Sequence, residues 1–256
     1  MKLLKSMVIS LILIVFALAP NITLADEKPI LTFGSGKHMP PPFVFHFEDY
    51  LVTGLLKDIA TSVAKELNAK SHFSHIPRKR SVDAITKGTV DVLCLTSPKW
   101  LGELEGVKWT VPLYDDHEII IMRKADAVHV SSINSLKGLK IGTISGFNYP
   151  HSIDPIIKNG LAKRRDASNL IANLEKLNSG TIDAVVDGRM KLNYLVKAFG
   201  YEDKITTVFT SKNSVPIQCV VSKQSEIPYQ HITDAFDRIK SNGVVQKILK
   251  KYDGTQ

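Results

Sequence analysis

Residues 84–95 read AITKGTVDVLCL, and residues 175–186 read EKLNSGTIDAVV. Each stretch closes an apolar helical pattern, turns at Gly-Thr-[Val/Ile]-Asp, and runs into strand-forming residues. Gly88 and Gly180 stand where a helix ends, a position that favours the left-handed backbone glycine adopts without cost. One helix-to-strand turn made twice predicts two lobes of the same build. The plain alternative is a single domain with a chance match at two turns.

Working outward, the chain alternates strand and helix. ILTFGS (30–35) reads as a strand and leads into a Pro-rich loop, GKHMPPPFVFH (36–46). GLLKDIATSVAKEL (54–67) carries Leu55, Ile59, Val63 and Leu67 at helical spacing. SHFSHI (71–76) alternates as a short strand, RSVDAITKG (80–88) is helical, and VDVLCL (90–95) is a buried strand. After VPLYDDHEIIIMRKAD (111–126), a strand run followed by polar residues, the alternation restarts. SSINSL is helical, KIGTI a strand, SGFNYP a loop, IDAVV a strand and RMKLNYLVKAF a helix. ITTVFT (205–210) and IQCVVS (217–222) follow as strands, and the chain closes with a helical segment over 231–252 that breaks at Asn242-Gly243. Such alternation builds a mostly parallel sheet with helices on both faces. The reading is therefore α/β, with lobe 1 over 26–124 and 211–256, lobe 2 over 125–210, and a two-segment hinge near Ile119–Arg123 and Thr210–Pro216.

Residues 1–25 are set apart. Lys2 and Lys5 precede an apolar run, Met7 to Ala19, and Thr23-Leu24-Ala25 places small residues before Asp26. That order reads as a cleaved secretory signal, because the run falls short of the ~20 residues a membrane helix needs. The chain after it is expected in the periplasm. The formal net charge of +8 falls to about +6 without Lys2 and Lys5, a modest basic balance. Basic residues lack the aromatic interleaving that single-stranded nucleic acid requires, so nucleic acid is not an expected partner. Cys94 and Cys219 are the only cysteines. In an oxidising compartment they form either one bridge or two buried thiols. No His or Cys spacing suits a metal, and neither metal nor cofactor is expected.

At this point the sequence resembles the periplasmic solute-binding proteins of family 3, the polar amino-acid type that serve ABC importers. The likeness runs through seven segments in order: PPFVF (41–45), GLLKDIATSVAKEL (54–67), GTVDV (88–92), VPLY (111–114), LKGLKIGTISGFNY (136–149), SGTIDAVVDGR (179–189) and SNGVVQKILKKYDG (241–254). It implies a two-lobed periplasmic binding protein fold of type II, each lobe a mostly parallel sheet flanked by helices. It also implies a monomer that closes on a small polar solute and hands it to an inner-membrane permease.

Ligands of open α/β sheets bind beyond the carboxyl ends of strands. Phe43, held by Pro40–Pro42, is one candidate, with core packing as its alternative. Arg80 offers a planar fork for carboxylate; Arg78 and Lys79 rank behind it. Thr96, Ser97 and Trp100 follow the strand VDVLC directly. Ser145, Gly146, Phe147, Asn148 and Tyr149 follow the first strand of the second lobe, where successive N–H groups can meet an anion. Asp187 ends IDAVVD, and in the family this place often receives a ligand ammonium; Arg189 is its neighbour. One departure from the family stands out. The Arg that clamps an amino acid's carboxylate is missing, and Glu103 occupies the place counted from Asp91. Arg80 or Lys99 must then take a carboxylate, or the ligand differs. Two other functions use the same scaffold: a periplasmic dehydratase with Glu103 or Asp187 beside Arg80, and a sensory module that presents its closed form to a receptor.

Overall fold

In the computed structural model, residues 27–47, 50–130, 132–149 and 152–252 are described. The proposed secretory signal lies outside them. No described helix is long and apolar enough to cross a membrane.

The first half opens with β1 (Ile30–Ser35), a hairpin of β2 (Phe45–Phe47) and β3 (Tyr50–Thr53), then α1 (Leu55–Glu66) and β4 (Lys70–His75). A 3-10 turn over Arg78–Arg80 leads into α2 (Ser81–Thr86), β5 (Val92–Thr96), the short α3 (Pro98–Leu101), β6 (Val107–Trp109) and the long β7 (Tyr114–Arg123). The second half holds β8 (Lys140–Ile144), α4 (Asp154–Lys158), β9 (Lys163–Ala167), α5 (Leu170–Asn178), β10 (Ala184–Gly188) and α6 (Arg189–Ala198). The chain returns on β11 (Ile205–Ser222) and ends with α7 (Tyr229–Ser241) and α8 (Val244–Lys250), separated at Gly243.

The main sheet runs β4-β1-β5-β11-β7-β10-β8-β9, with β6 paired to β11. It is two copies of one arrangement. β4, β1 and β5 are parallel and meet β11 antiparallel; β9, β8 and β10 are parallel and meet β7 antiparallel. The β7–β11 pair joins the copies, with register shifts at Thr207/Phe209 and Thr210/Ser214. The sequence suggests two strands separated by a connection, ITTVFT and IQCVVS; the structure makes them one 18-residue strand. Bulges absorb the change of direction, so the backbone stays paired across the crossing.

The repeated turn has the same chemistry in both copies. Gly88 and Gly180 sit at φ 72 and 78. Asp91 Oδ2 accepts from Thr32 N at 2.7 Å, and Asp183 Oδ2 accepts from Lys140 N at 2.7 Å. The backbone returns the bond in each case, Asp91 N to Thr32 O and Asp183 N to Lys140 O, both at 2.9 Å. Each aspartate thus locks the end of one strand loop to the start of the neighbouring parallel strand. Two residues further along those neighbours stand Gly34 and Gly142, where an added Cβ would meet Leu93 at 2.4 Å and Ile182 at 2.5 Å. Asp91→Ala should therefore cost about 1.5–3 kcal/mol, the worth of a charge-assisted bond. Asp183→Ala should cost less, because its bond is exposed. Urea midpoints of the two variants check this order.

Among the described residues, four apolar clusters fill the layers. One packs α1, α7 and α8 on the first sheet half, with Phe33, Leu55, Ile59 and Phe236 fully buried; another lies across that half around Ile85 and Val220. The second half is covered on its two faces by clusters around Leu174 and Leu192, and around Ile141 and Ile153. Ile119–Met122 of β7, four of the five residues of the hinge segment Ile119–Arg123 read from the sequence, pack inside these second-half clusters. The crossing stretch of β7 comes just before them, at Asp115–Glu118.

Candidate functional site

Where the halves face each other over the β7–β11 crossing lies a cavity of about 150 Å³. Its floor is the crossing itself, with Asp116, His117 and Glu118 on β7 and Val215 on β11. Thr96, the last residue of β5, and Lys99 and Trp100 just beyond it come from the first half. The backbone turns sharply there: Leu95 has φ 59, and the β5–β11 register slips between Gln218 and Val220. A leucine in the left-handed region is strained, and such strain gathers at functional sites. Gly146, Phe147, Asn148 and Tyr149 come from the loop after β8, and Asp187, Gly188 and Lys191 from the β10–α6 junction.

Of the candidates named from sequence, Thr96, Trp100, Gly146, Phe147, Asn148, Tyr149 and Asp187 line this cavity; Phe43, Arg80, Ser97 and Ser145 do not. Ser97 is fully buried, and its Oγ caps α3 by accepting from Lys99 N at 3.3 Å. Phe43 is 5 % exposed and belongs to the first core cluster, although Lys191 Nζ lies 5.7 Å from its ring. Its carbonyl accepts from Leu56 N at 3.0 Å, so the proline loop also caps α1. Ser145 is exposed and gives its N–H to Ala167 O, while Phe147 N and Tyr149 N are spent on Ile144 O and Asp154 Oδ2. The loop is therefore not an open run of amides for an anion. Tyr149 is buried, its hydroxyl accepts from Ile144 N at 3.1 Å, and burial pushes its phenol well up.

Arg78, not Arg80, reaches the cavity. Its Nη2 donates to Gly146 O at 2.9 Å, and its guanidinium lies 3.6 Å from the Phe147 ring centroid. A 3-10 turn has three residues per turn, so residues two apart point in different directions. Glu103 is exposed and outside the lining, so no carboxylate stands in the cavity at that place. Lys99 Nζ donates to Ser214 O at 2.9 Å across to β11.

The centre of the wall is a buried charge cluster. Lys191 and Asp187, four residues apart, form an ion pair with side chains 9 % and 5 % exposed. Gly188 N donates to Asp187 Oδ1 at 2.7 Å. Asp116, also buried, accepts from His117 N at 2.9 Å and from the Met190 backbone. Burial pushes the Asp116 carboxyl up, Lys191 and the two N–H groups pull it back, and Asp187 pushes it further up. Glu118 Oε2 accepts from Ser152 Oγ at 2.6 Å. Lys191 Nζ sits 5.7 Å from both the Phe43 and Phe147 rings, one from each half. Phe45 meets Tyr194 of α6 edge-on at 5.9 Å. With Arg78 on Gly146, these contacts hold the two halves together over the cavity.

Asp116, His117, Glu118 and Lys191 were not singled out in the sequence, yet two signals were available. DDHE interrupts an otherwise apolar strand run at the crossing, and Lys191 follows Asp187 by four residues, in the first turn of the helix that starts at the strand's end.

Beside the cavity, His38 is lowered to about 4, first by burial and then by Arg78, His75, His46 and Lys191. The unfolded chain takes up this proton near 6.5 and the fold resists until about 4. Between those values the unfolded state binds more protons, so stability falls as pH falls. The expected loss is about 3 kcal/mol from pH 6.5 to 4. Denaturant titrations across that window should show it, and His38→Asn should flatten the profile.

Cys94 on β5 and Cys219 on β11 are joined in a disulfide, 125 residues apart in sequence. Among the described residues no cluster of His, Cys, Asp and Glu is arranged to hold a metal ion.

Comparison with known proteins agrees with this architecture. The family model for bacterial extracellular solute-binding proteins, family 3, matches residues 31–255. A protein of Neisseria gonorrhoeae named "Probable histidine-binding protein" is 24 % identical over 205 residues, covering 78 % of this chain and 75 % of that one. An ancestral arginine-binding protein solved with arginine superposes with a TM-score of 0.72 at 25 % identity, over 88 % of this chain and 98 % of that one. AncCDT-1, an ancestral amino acid-binding protein and precursor of cyclohexadienyl dehydratase, shares the fold with a TM-score of 0.70 at 21 % identity, over 87 % and 94 % of the two chains.

Proposed function

The chain belongs to the bacterial extracellular solute-binding proteins, family 3, and from that premise we propose that it is a periplasmic receptor that captures a small polar solute between its lobes and delivers it to an ABC importer. The observation that carries this reading is the cavity over the β7–β11 crossing, walled by both halves and lined by charged and aromatic groups. At about 150 Å³ it is smaller than the roughly 300–1,000 Å³ of drug-sized sites. It therefore suits a solute of metabolite size, an amino acid or a related organic acid or amine. The two lobes, over 26–124 with 211–256 and over 125–210, would turn about the paired crossing strands, and the closed form would be what the permease reads. The receptor acts as a monomer.

The arrangement favours binding over chemistry. The dehydratase alternative needs Glu103 or Asp187 beside Arg80, and of these Glu103 and Arg80 stand outside the cavity. Asp187 is engaged by Lys191 and by Gly188 N, and Asp116 by two backbone N–H groups. A free acid or base aimed at a substrate is what general acid–base catalysis needs.

Thermal-shift and calorimetric titration with a panel of polar metabolites tests the reading. A ligand at a hundred times its Kd should raise Tm by roughly 5–11 °C. A folded protein that responds to nothing on the panel, and carries no solute in a native mass spectrum as purified, would count against it.

A further inference from the structure

A cavity that selects a ligand by charge does so with the groups it leaves unmatched. Six charged side chains line this one, three acids and three bases. The acids are matched from within. Asp187 holds Lys191 and the Gly188 N–H, Asp116 takes the His117 and Met190 N–H groups, and Glu118 takes the Ser152 hydroxyl. Two of the bases are matched only by neutral oxygen. Arg78 donates to Gly146 O and Lys99 to Ser214 O, and among the described residues neither is in an ion pair; Asp187 acts on Arg78 only through space. The formal charges of the lining balance; what differs is that Asp187 is already held by a cation, whereas Arg78 and Lys99 meet only carbonyl oxygen.

Lys191 completes the argument. Its ammonium sits against a buried carboxylate and between two aromatic rings, Phe43 and Phe147. That is the surrounding a small cationic ligand group seeks: an anion, two π faces and little water. The protein's own side chain fills it. A ligand ammonium at Asp187 would have to displace Lys191 or share the carboxylate with it, and like charges in one buried place disfavour each other.

We infer that Lys191 is a built-in occupant of the cation subsite, and that the cavity takes a small organic carboxylate without an ammonium group, its carboxylate received by Arg78 and Lys99. This rests on the receptor reading above and narrows it to a ligand class. It also gives the lysine a purpose: with Lys191 in place, the aromatic pair and Asp187 are satisfied before any ligand arrives.

The test uses matched pairs that differ only at one group. L-glutamate is set against 2-hydroxyglutarate, L-histidine against imidazole lactate, and L-leucine against 2-hydroxyisocaproate, each titrated calorimetrically into the full protein at neutral pH. The expected result is that the amine-free member of at least one pair binds tenfold or more tighter than its amino acid. Lys191→Met should then shift that ratio at least tenfold toward the amino acid, with Lys191→Gln as the second variant should methionine fold poorly. Equal or tighter binding of the amino acids by the wild-type protein would overturn the inference and leave the receptor standing. Binding of neither series to the folded protein would overturn the inference together with the reading beneath it. Because the wild-type titrations decide the matter, no outcome depends on a variant that fails to fold.

Discussion

Lys191→Met should lower the free energy of unfolding at pH 8 by about 3–5 kcal/mol, the cost of breaking a buried ion pair from one side. For a chain of this size that is roughly 6–20 °C in Tm. The reason is what stays behind. Asp187 and Asp116 are both buried beside the lysine, and Lys191 is the cation that offsets them. Without it, the burial and the Asp187 charge that already push Asp116 up are opposed only by the His117 and Met190 N–H groups. The sign follows from linkage. A carboxyl raised in the fold prefers to be protonated there, so the variant is weakest above that raised value. It regains stability as pH falls toward the ordinary carboxylate range. The deficit relative to wild type should therefore shrink between pH 8 and 5. Adding Asp187→Asn to Lys191→Met removes the uncompensated charge and should recover part of the loss. Chemical denaturation at the two pH values measures both effects; a single variant that melts within a degree of wild type at pH 8 would show that the pair is not held as described.

The second large effect belongs to the disulfide. Replacing Cys94 and Cys219 by alanine should cost about 2–4 kcal/mol, toward the upper end because the closed loop is long. The separation of 125 residues means that cutting the bridge frees a large share of the unfolded chain's entropy. Both cysteines are buried, at 4 % and 0 % exposure, so alanine leaves no polar group without a partner. A melt of the wild-type protein under reductant should fall onto the double-alanine curve, and the variant should ignore reductant. Solute affinity should change little, because β5 and β11 meet at the bridge within the first half of the sheet. A wild-type Tm indifferent to reductant, with no free thiol before and two after, would contradict the expectation.

How far the sequence reached depended on how much of each feature is local. The two Gly-Thr-x-Asp turns were legible because the whole device is carried in four adjacent residues: the glycine's left-handed backbone and the aspartate's reach to a neighbouring N–H. The break at Asn242-Gly243 was legible for the same reason. β9 was not, because KRRDA is an edge strand whose side chains face water, so it shows neither alternation nor apolar content. The β2–β3 hairpin was missed because its neighbours are prolines and its strands are three and four residues long. The bulges that make β11 continuous depend on pairing with β7, which lies far away in sequence.

The site divides along the same line. Residues at or just past the carboxyl end of a strand, such as Thr96, Asn148 and Asp187, were placed by the rule that ligands meet those ends. Arg78 was passed over for Arg80 because the choice turns on the rotation of a short 3-10 turn after Pro77. Lys191 reads as an ordinary surface lysine in the first turn of a helix. Only the packing of two halves, with Phe43 from one and Phe147 from the other, encloses it.

The single S–S link lies at residues 94 and 219, and every element from β8 to α6 falls between them. The second half therefore lies on the arc of a closed covalent ring. A peptide bond cut anywhere along that arc severs the backbone but releases no fragment, so a nicked molecule keeps its full mass until it meets a reductant. In a compartment shared with proteases, such damage need not scatter the pieces, and the halves stay tethered at an effective concentration far above that of separate chains.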